Sequence, residues 1–588
     1  MVSRYNLLYD VPPEEFDLSE RRFQHTPVVS ILNTRTPVDG NRHRIEDTVV
    51  QEIFTRLDEL SLRDFHSPVA HFTHETLPQD LNLEQVVDHL LRPRFAPQFQ
   101  QHVLVHAPAD LETTLYRQGA VRELIEKPEI AKGLEDGMEM FAQLTCSIMN
   151  RAYTFQRVQR MFMISRRQTL KMLMPYNLDV LQKYTAMVNQ FTRTLESAES
   201  KPMQRLGEYF TEVRNSKFFK DVFPVFDVRY FKDQRIALDV TVGRNGVLTA
   251  SEYQRAEGAS RIPAFRLISR TGPLGFFSAF FKMFSLPSTF AMDATNTVVQ
   301  NNLEELLKVA EIIAPLEFYT CGASFYRRMK EIGMPVQLPV VLPKEERKMH
   351  LPHARNPLLL YQERVDGRNF SRVIPNDIIF NGEQNMFVIT GPNNGGKTCY
   401  VKTGGLLQLL GQGGLPVTAE GEASLSVVDG MYTHFVSPDD IMAGEGRLLN
   451  ELRRVEKIFR KATPYSYVIL DEPCGGTEHS EGARQSAIIL DGLHKLGSVV
   501  YFTTHLHEVA DMVDNGKYTA GRNLQVEIIE DPGSKRLIRT YRVLPGKATS
   551  SYGVEVARSI GLTNDGISGV IEERVQMGVF DRSLLRDT

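Results

Sequence analysis

The chain has 588 residues, 42% of them apolar and 24% charged, with a formal net charge of −4. That length exceeds what a single hydrophobic core organises, so about two to four domains are expected. The near-balanced charge excludes a protein drawn to nucleic acid by its overall field, and any such contact must come from a local patch. The cysteines, Cys146, Cys321, Cys399 and Cys474, have no paired spacing, which excludes a disulfide framework or a zinc site and fits a reducing compartment.

The opening "MVSRYNLLYDVPPEEFDLSE" has no apolar core and is not a secretory signal, so a cytoplasmic protein is expected. Residues 1–95 are mixed in pattern and give no role. From about 108 to 210 apolar residues recur at three- and four-residue spacing over long runs, such as "MEMFAQLTCSIMNRAYTFQRVQRMFMISRRQTLKMLM", which predicts long helices. "QRIALDVTVGRNGVLTASEYQ" interrupts them, and its alternation around Arg244-Asn245-Gly246 predicts a hairpin. The phenylalanine-rich stretch 272–292 is broken by Lys282 and by prolines, so it reads as a buried or partner-covered hairpin rather than a membrane span. Helical pattern returns at "NTVVQNNLEELLKVAEIIAPLEFY". The proline-marked "MPVQLPVVLPKEERK" predicts a boundary, after which strands and helices alternate as in an α/β domain. The expected domains are therefore 1–95, 96–345 and 346–588.

Gly391-Pro392-Asn393-Asn394-Gly395-Gly396-Lys397-Thr398 matches the phosphate-cradling pattern G-x-x-x-x-G-K-[ST]. The strand-forming "MFVIT" precedes it and the helix-compatible "TCYVKTGGLLQLLGQ" follows. In that setting backbone N–H groups at a helix N-terminus face phosphate oxygens. Lys397 is then placed to bridge the β- and γ-phosphates of a nucleoside triphosphate, and Thr398 to ligate Mg²⁺. "SYVILDEP" adds a buried strand ending in Asp471, placed for the Mg²⁺ shell, and Glu472, placed to deprotonate water. "SVVYFTTHLHEV" ends a further strand at His505, which alone reads as a structural histidine and beside the other elements reads as a γ-phosphate contact. Leu448, Leu452, Val455 and Phe459 share one face of a helix expected over about 447–461. Gly444 and Gly446 precede that helix, and either a solvated turn or a cap on a second subunit's phosphate fits them.

Taken together and in this order, these elements resemble the MutS branch of the ABC-type ATPases. "TGPNNGGKT" is similar to the MutS cradle, "DEPCGGTEHSEG" to its acid pair and following loop, "TTHLHEV" to its histidine switch, and "GKATSSYGVEVARSIGL" to its Ser-Tyr-Gly segment. "YRQGAVRELIEKPEI" and the long helices after it resemble the family's core and lever region. The resemblance implies an ABC-type P-loop NTPase domain of α/β fold, preceded by a mostly α-helical core/lever domain with a β-hairpin insertion. It implies ATP and Mg²⁺ as cofactors and a homodimer with composite ATP sites, coupled through lever helices to DNA. Gly391 through Thr398 would bind phosphates, Thr398 and Asp471 the metal, and Lys397, Glu472 and His505 would carry hydrolysis. The chain departs from the family at Gly446, where a signature serine is usual, and at Val373, where an aromatic commonly stacks on adenine.

The first 95 residues do not resemble the family's mismatch-reading domain. Phe210-Thr211-Glu212 has the wedge composition of a mismatch reader, but its neighbours read as an ordinary amphipathic helix. Between Glu139 and Asp179 there is no acid, while Arg151, Arg157, Arg160, Arg166, Arg167 and Lys171 are interleaved with Tyr153, Phe155 and Phe162. Such a stripe suits a phosphate backbone, and a core helix with a solvated basic face suits the same residues. Two functions are carried forward: an ATP-hydrolysing protein that acts on branched or mismatched DNA in repair or recombination, and an ATP-driven clamp for a protein partner. A transporter-type ATPase subunit is disfavoured, and no membrane partner is expected.

Overall fold

The computed structural model of the chain describes residues 76–159, 164–216, 219, 236–242, 248–255, 266–269, 296, 299, 309–366, 372–435, 447–475, 478–531, 537–548, 563–579 and 582. Two compact units emerge from these. One gathers residues of 94–99 and 119–320, the other residues of 76–93, 100–118 and the chain from 321 onward.

In the first unit the 3.6-residue periodicity produces the long helices it predicts. Helices α1 (Pro97–Val105) and α2 (Leu111–Glu126) enter it, followed by α3 (Pro128–Gln159), α4 (Arg166–Leu195) and α5 (Lys201–Asn215). Ser165 starts α4 with a reciprocal capping box to Gln168. The helices bury Phe141, Leu173, Val188 and Phe191, and Phe191 stacks on Phe210 of α5 with ring centroids 4.4 Å apart. Phe210 is thus a core residue, and the amphipathic-helix reading of Phe-Thr-Glu holds. Strands β1 (Ile236–Val242) and β2 (Leu248–Arg255) pair antiparallel as the hairpin pattern predicts, and β3 (Arg266–Ser269) adds to β1 in parallel. The Arg244-Asn245-Gly246 turn and the 272–292 segment lie outside the described residues.

One member of the basic stripe is not available to a phosphate backbone. Arg151 is buried, its Nε donates to Asn177 Oδ1 at 2.5 Å and its Nη2 donates to Asn296 Oδ1 at 3.0 Å. Burial holds its guanidinium below the ordinary arginine range. Arg157, Arg166, Arg167 and Lys171 are exposed, and Arg160 lies outside the described residues.

Glu123 shows how this unit is tied. Its buried carboxylate accepts from Glu199 N at 2.6 Å and from Ser200 N at 2.9 Å, just ahead of α5. Burial pushes its carboxyl up, but the Ser200 and Glu199 donors outweigh this and hold it below the usual range. A carboxylate whose folded pKa is depressed stabilises the fold above the unfolded value and loses that contribution as pH falls through the folded one. Glu123→Ala should therefore cost on the order of 1–3 kcal/mol near pH 7, read as a lower urea midpoint of the helical unit. The difference from wild type should shrink below about pH 4.

The second unit is α/β. Helix α6 (Ala310–Glu331) runs into it, followed by β4 (Val340–Leu342), β5 (Met349–Ala354), α7 (Pro357–Val365), β6 (Asn376–Phe380), β7 (Met386–Thr390) and α8 (Lys397–Gln412). Then come β8 (Ser424–Ser426), β9 (Met431–His434), α9 (Arg447–Lys461), β10 (Tyr467–Asp471), α10 (His479–Leu496), β11 (Val499–Thr504) and α11 (His507–Asp514). The hairpin β12 (Gly521–Glu530) and β13 (Leu537–Pro545) and the helix α12 (Asn564–Gln576) follow. The main sheet has the order β13-β12-β7-β11-β10-β9, parallel except for the antiparallel β12–β13 pair. Every residue of β7, β10 and β11 is buried, as continuous apolar runs covered on both faces require. A second sheet, β4-β8-β5-β6, lies in the same unit. Helix α9 has the bounds its periodicity predicts, and it buries Val455 and Ile458 beside Val468, Leu470 and Leu490. None of the cysteines forms a disulfide. Among the described residues no helix is long and apolar enough to cross a membrane.

Candidate nucleotide-binding site

A doubly wound sheet opens a crevice at the carboxyl ends of its parallel strands. Here β7, β10 and β11 end side by side, with Thr390 opposite Thr504 and Asp471 opposite Thr503. Of the residues singled out by sequence, the 391–398 loop, Asp471, Glu472 and His505 meet in that place. After β7 the chain turns through Gly391 at φ +143°, where an added Cβ would come 3.1 Å from Val526 Cβ. Gly396, at φ +104°, caps the N-terminus of α8, and a Cβ there would lie 3.3 Å from the Tyr541 ring. Both positions demand glycine. Asn394 is left-handed as well, and Gly395 N donates to Pro392 O at 3.2 Å.

Lys397 is almost wholly buried, at 3% exposure. Its ammonium donates to Gly391 O at 2.8 Å and to Pro392 O at 3.2 Å, and lies 3.3 Å from Glu472 Oε1. Burial pushes its pKa down, opposed by the Glu472 and Asp471 charges. Thr398 Oγ1 donates to Asp471 Oδ2 at 2.9 Å, and Thr503 Oγ1 donates to Asp471 Oδ1 at 2.6 Å. Burial raises the Asp471 pKa, with those two hydroxyls opposing. His505 Nε2 stands 2.7 Å from Glu472 Oε1, and its Nδ1 stands 3.1 Å from Gly391 O. Burial pushes the Glu472 carboxyl up, but His505 and Lys397 outweigh this and hold it below its usual range. Glu472 is therefore an ionised carboxylate at neutral pH.

A cavity of about 1020 Å³ opens over these groups, lined by Asn393, Lys397, Thr398, Asp471 and Glu472. Its volume suits a nucleotide-sized ligand. Oxygen donors at Thr398 and Asp471, next to a cationic cradle, fit a hard divalent cation bound together with phosphates. Gly446 lies outside the described residues. Val373 is buried in the cavity wall, as an aliphatic residue where the family resemblance has an aromatic.

The same cavity contains an aromatic side chain that sequence reading missed. Tyr541, on β13, lines it in the left-handed conformation, φ +59°. Asn376 pins that backbone: its Nδ2 donates to Tyr541 O at 3.0 Å and its Oδ1 accepts from Val543 N at 2.7 Å. Sequence reading likewise passes over Thr503, which holds both acids. Besides its bond to Asp471, its Oγ1 accepts from Glu472 N at 3.0 Å. Glu472 and Cys474 are themselves left-handed, a conformation costing roughly 1–2 kcal/mol for a residue with a Cβ.

Residues 387–576 match the family described as MutS domain V, a P-loop ATPase domain. The chain is 36% identical over 215 residues to the DNA mismatch repair protein MutS of Chlorobium chlorochromatii, covering 36% of this chain and 24% of that protein. It is 31% identical over 265 residues to the MutS of Thermus aquaticus, with 45% and 30% covered. To the endonuclease MutS2 of Enterococcus faecalis it is 30% identical over 262 residues, with 44% and 30% covered. The match thus spans less than a third of the length of these curated relatives.

Proposed function

We propose, from the premise that this chain belongs to the MutS family through its residues 387–576, that it binds and hydrolyses ATP with Mg²⁺ and couples the reaction to DNA. The observation that carries the reading is the convergence of Lys397, Thr398, Asp471, Glu472 and His505 on one cradle. Lys397 and the backbone from Gly391 to Thr398 hold the phosphates. Thr398 and Asp471 hold the Mg²⁺, which when bound neutralises charge developing on the phosphate oxygens. Glu472 accepts the proton of the attacking water, and His505 orients the Glu472 carboxylate and faces the γ-phosphate. Tyr541 offers its ring to the base, replacing the aromatic missing at Val373.

By family likeness the protein acts as a homodimer with composite sites, in which Gly446 faces the partner's phosphate, and the helical region 96–345 transmits the nucleotide state. Exposed Arg157, Arg166, Arg167 and Lys171 supply a local basic surface for the DNA backbone. Their contact with phosphates rather than base edges favours DNA shape, branches or ends over a base sequence.

Steady-state ATP turnover, measured with homoduplex, mismatched, looped and four-way-junction DNA, tests the reading. Turnover should require Mg²⁺ and change with DNA, and DNA binding should weaken steeply with salt. Equal, weak and ATP-insensitive binding to all four DNAs would instead favour a clamp for a protein partner. Tyr541→Ala should raise the KM for ATP by about fivefold or more with kcat little changed, because an aromatic–base stack is worth roughly 1–3 kcal/mol. An unchanged KM would remove Tyr541 from the base site.

A further inference from the structure

Helix α9 carries a carboxylate where its amphipathic pattern calls for an apolar residue. Glu451 falls three residues after Leu448 and four before Val455, on the face that packs into the core, and it is 1% exposed. Its Oε2 accepts from Cys474 N at 3.0 Å. Cys474 is two residues beyond Glu472, and the turn between them is strained backbone. Glu472 at φ +52° and Cys474 at φ +64° are both left-handed, with Pro473 between them. Neither conformation is favoured locally, so bonds from outside the turn must select it.

Those bonds come from two sides. On the β11 side Thr503 accepts from Glu472 N, through its O at 3.2 Å and its Oγ1 at 3.0 Å. Within the turn Gly475 N donates to Glu472 O at 3.1 Å. On the α9 side stands Glu451. A buried carboxylate accepting a backbone N–H makes a strong, charge-assisted bond, and it has fixed geometry because the helix behind it is packed.

We propose that Glu451 is a positioning residue for hydrolysis: its carboxylate holds the Glu472–Cys474 turn against the first turns of α9, and so aims Glu472 at the attacking water. This rests on the reading of Glu472 as the general base. It also makes α9 a physical link between that base and residue 446, immediately ahead of the helix. A displacement of the helix start would be felt at Glu472 without any contact to nucleotide.

Glu451→Gln and Glu451→Met separate the acceptor from the space it fills. Glutamine keeps an oxygen at the same reach, whereas methionine keeps the volume and lacks the acceptor. The Gln variant should turn over ATP within about threefold of wild type. The Met variant should lose about tenfold or more in kcat, with KM for ATP and nucleotide affinity within about threefold, because a misaimed base raises the barrier without touching the phosphate cradle. Equal kcat in both variants, or a Met effect confined to KM, overturns the proposal. Should the Met variant not fold, hydrogen exchange on the wild-type full chain decides: the Cys474 amide must be protected, and exchange there at the rate of an open loop overturns the bond. Failure of the underlying reading is distinct, since it would show as turnover persisting in Glu472→Gln.

Discussion

Glu472→Gln should lower ATP turnover by about 10²-fold or more and leave Mg-nucleotide affinity within about threefold of wild type. Glutamine preserves the volume and the oxygen that faces His505 Nε2 at 2.7 Å and Lys397 Nζ at 3.3 Å. What it removes is the basicity. The carboxylate needs that basicity in its ionised form, and His505 and Lys397 secure it by holding the pKa under the ordinary 4.5 despite burial. The acid limb that Glu472 imposes on kcat/KM, which reports the free enzyme, therefore lies below the ordinary 4.5, well away from neutrality, and it disappears in the variant. Phosphate release under single-turnover conditions, beside equilibrium binding of a fluorescent nucleotide, measures both halves. Turnover that survives the substitution removes Glu472 from its role and leaves the site a nucleotide sensor.

The chemistry-bearing half of the site was legible because it is local. A phosphate cradle is a strand, a glycine turn and a helix start within one short stretch, and "MFVITGPNNGGKT" writes all three consecutively. Asp471 and Glu472 were legible for the same reason, as acids closing a buried strand. The residues that make the arrangement work were not, because they arrive by pairing across the sheet. Thr503 reaches Asp471 only through the register that sets β10 beside β11. Tyr541 reaches the cradle only because β13 folds back on β12 and Asn376 fixes its backbone, while "RTYRV" alone reads as one more alternating strand. Glu451 did leave a signal, a carboxylate inside the apolar stripe of α9, but an amphipathic pattern tolerates one polar intruder without saying what it bonds. Arg151 errs in the opposite direction. Charge counted along the chain put it on a basic surface, and packing between α3 and α4 put it on Asn177.

Lys397→Ala should reduce affinity for Mg-ATP by about 100-fold or more, equivalent to about 2.7 kcal/mol. The reason is electrostatic. Asp471 and Glu472 already place two carboxylates at the cradle, and the buried Lys397 ammonium lies within reach of both and bonds to the carbonyls of Gly391 and Pro392. Without that charge a triphosphate meets a net negative, poorly hydrated site, and the remaining backbone N–H groups do not offset the repulsion. Lys397→Arg should fail as well. Two carbonyl oxygens at 2.8 and 3.2 Å in a buried cradle take a compact ammonium, whereas a planar guanidinium needs a wider, flat opening. Thermal denaturation separates lost binding from lost fold. Wild type should gain stability with saturating Mg-nucleotide, by about 2.7 kcal/mol at a hundredfold excess over Kd. Each variant should melt within a few degrees of unliganded wild type and show no such gain. A variant that retains the nucleotide-induced shift would mean that Lys397 does not hold the phosphates, and the assignments of Thr398, Asp471 and Glu472 around it would fall together.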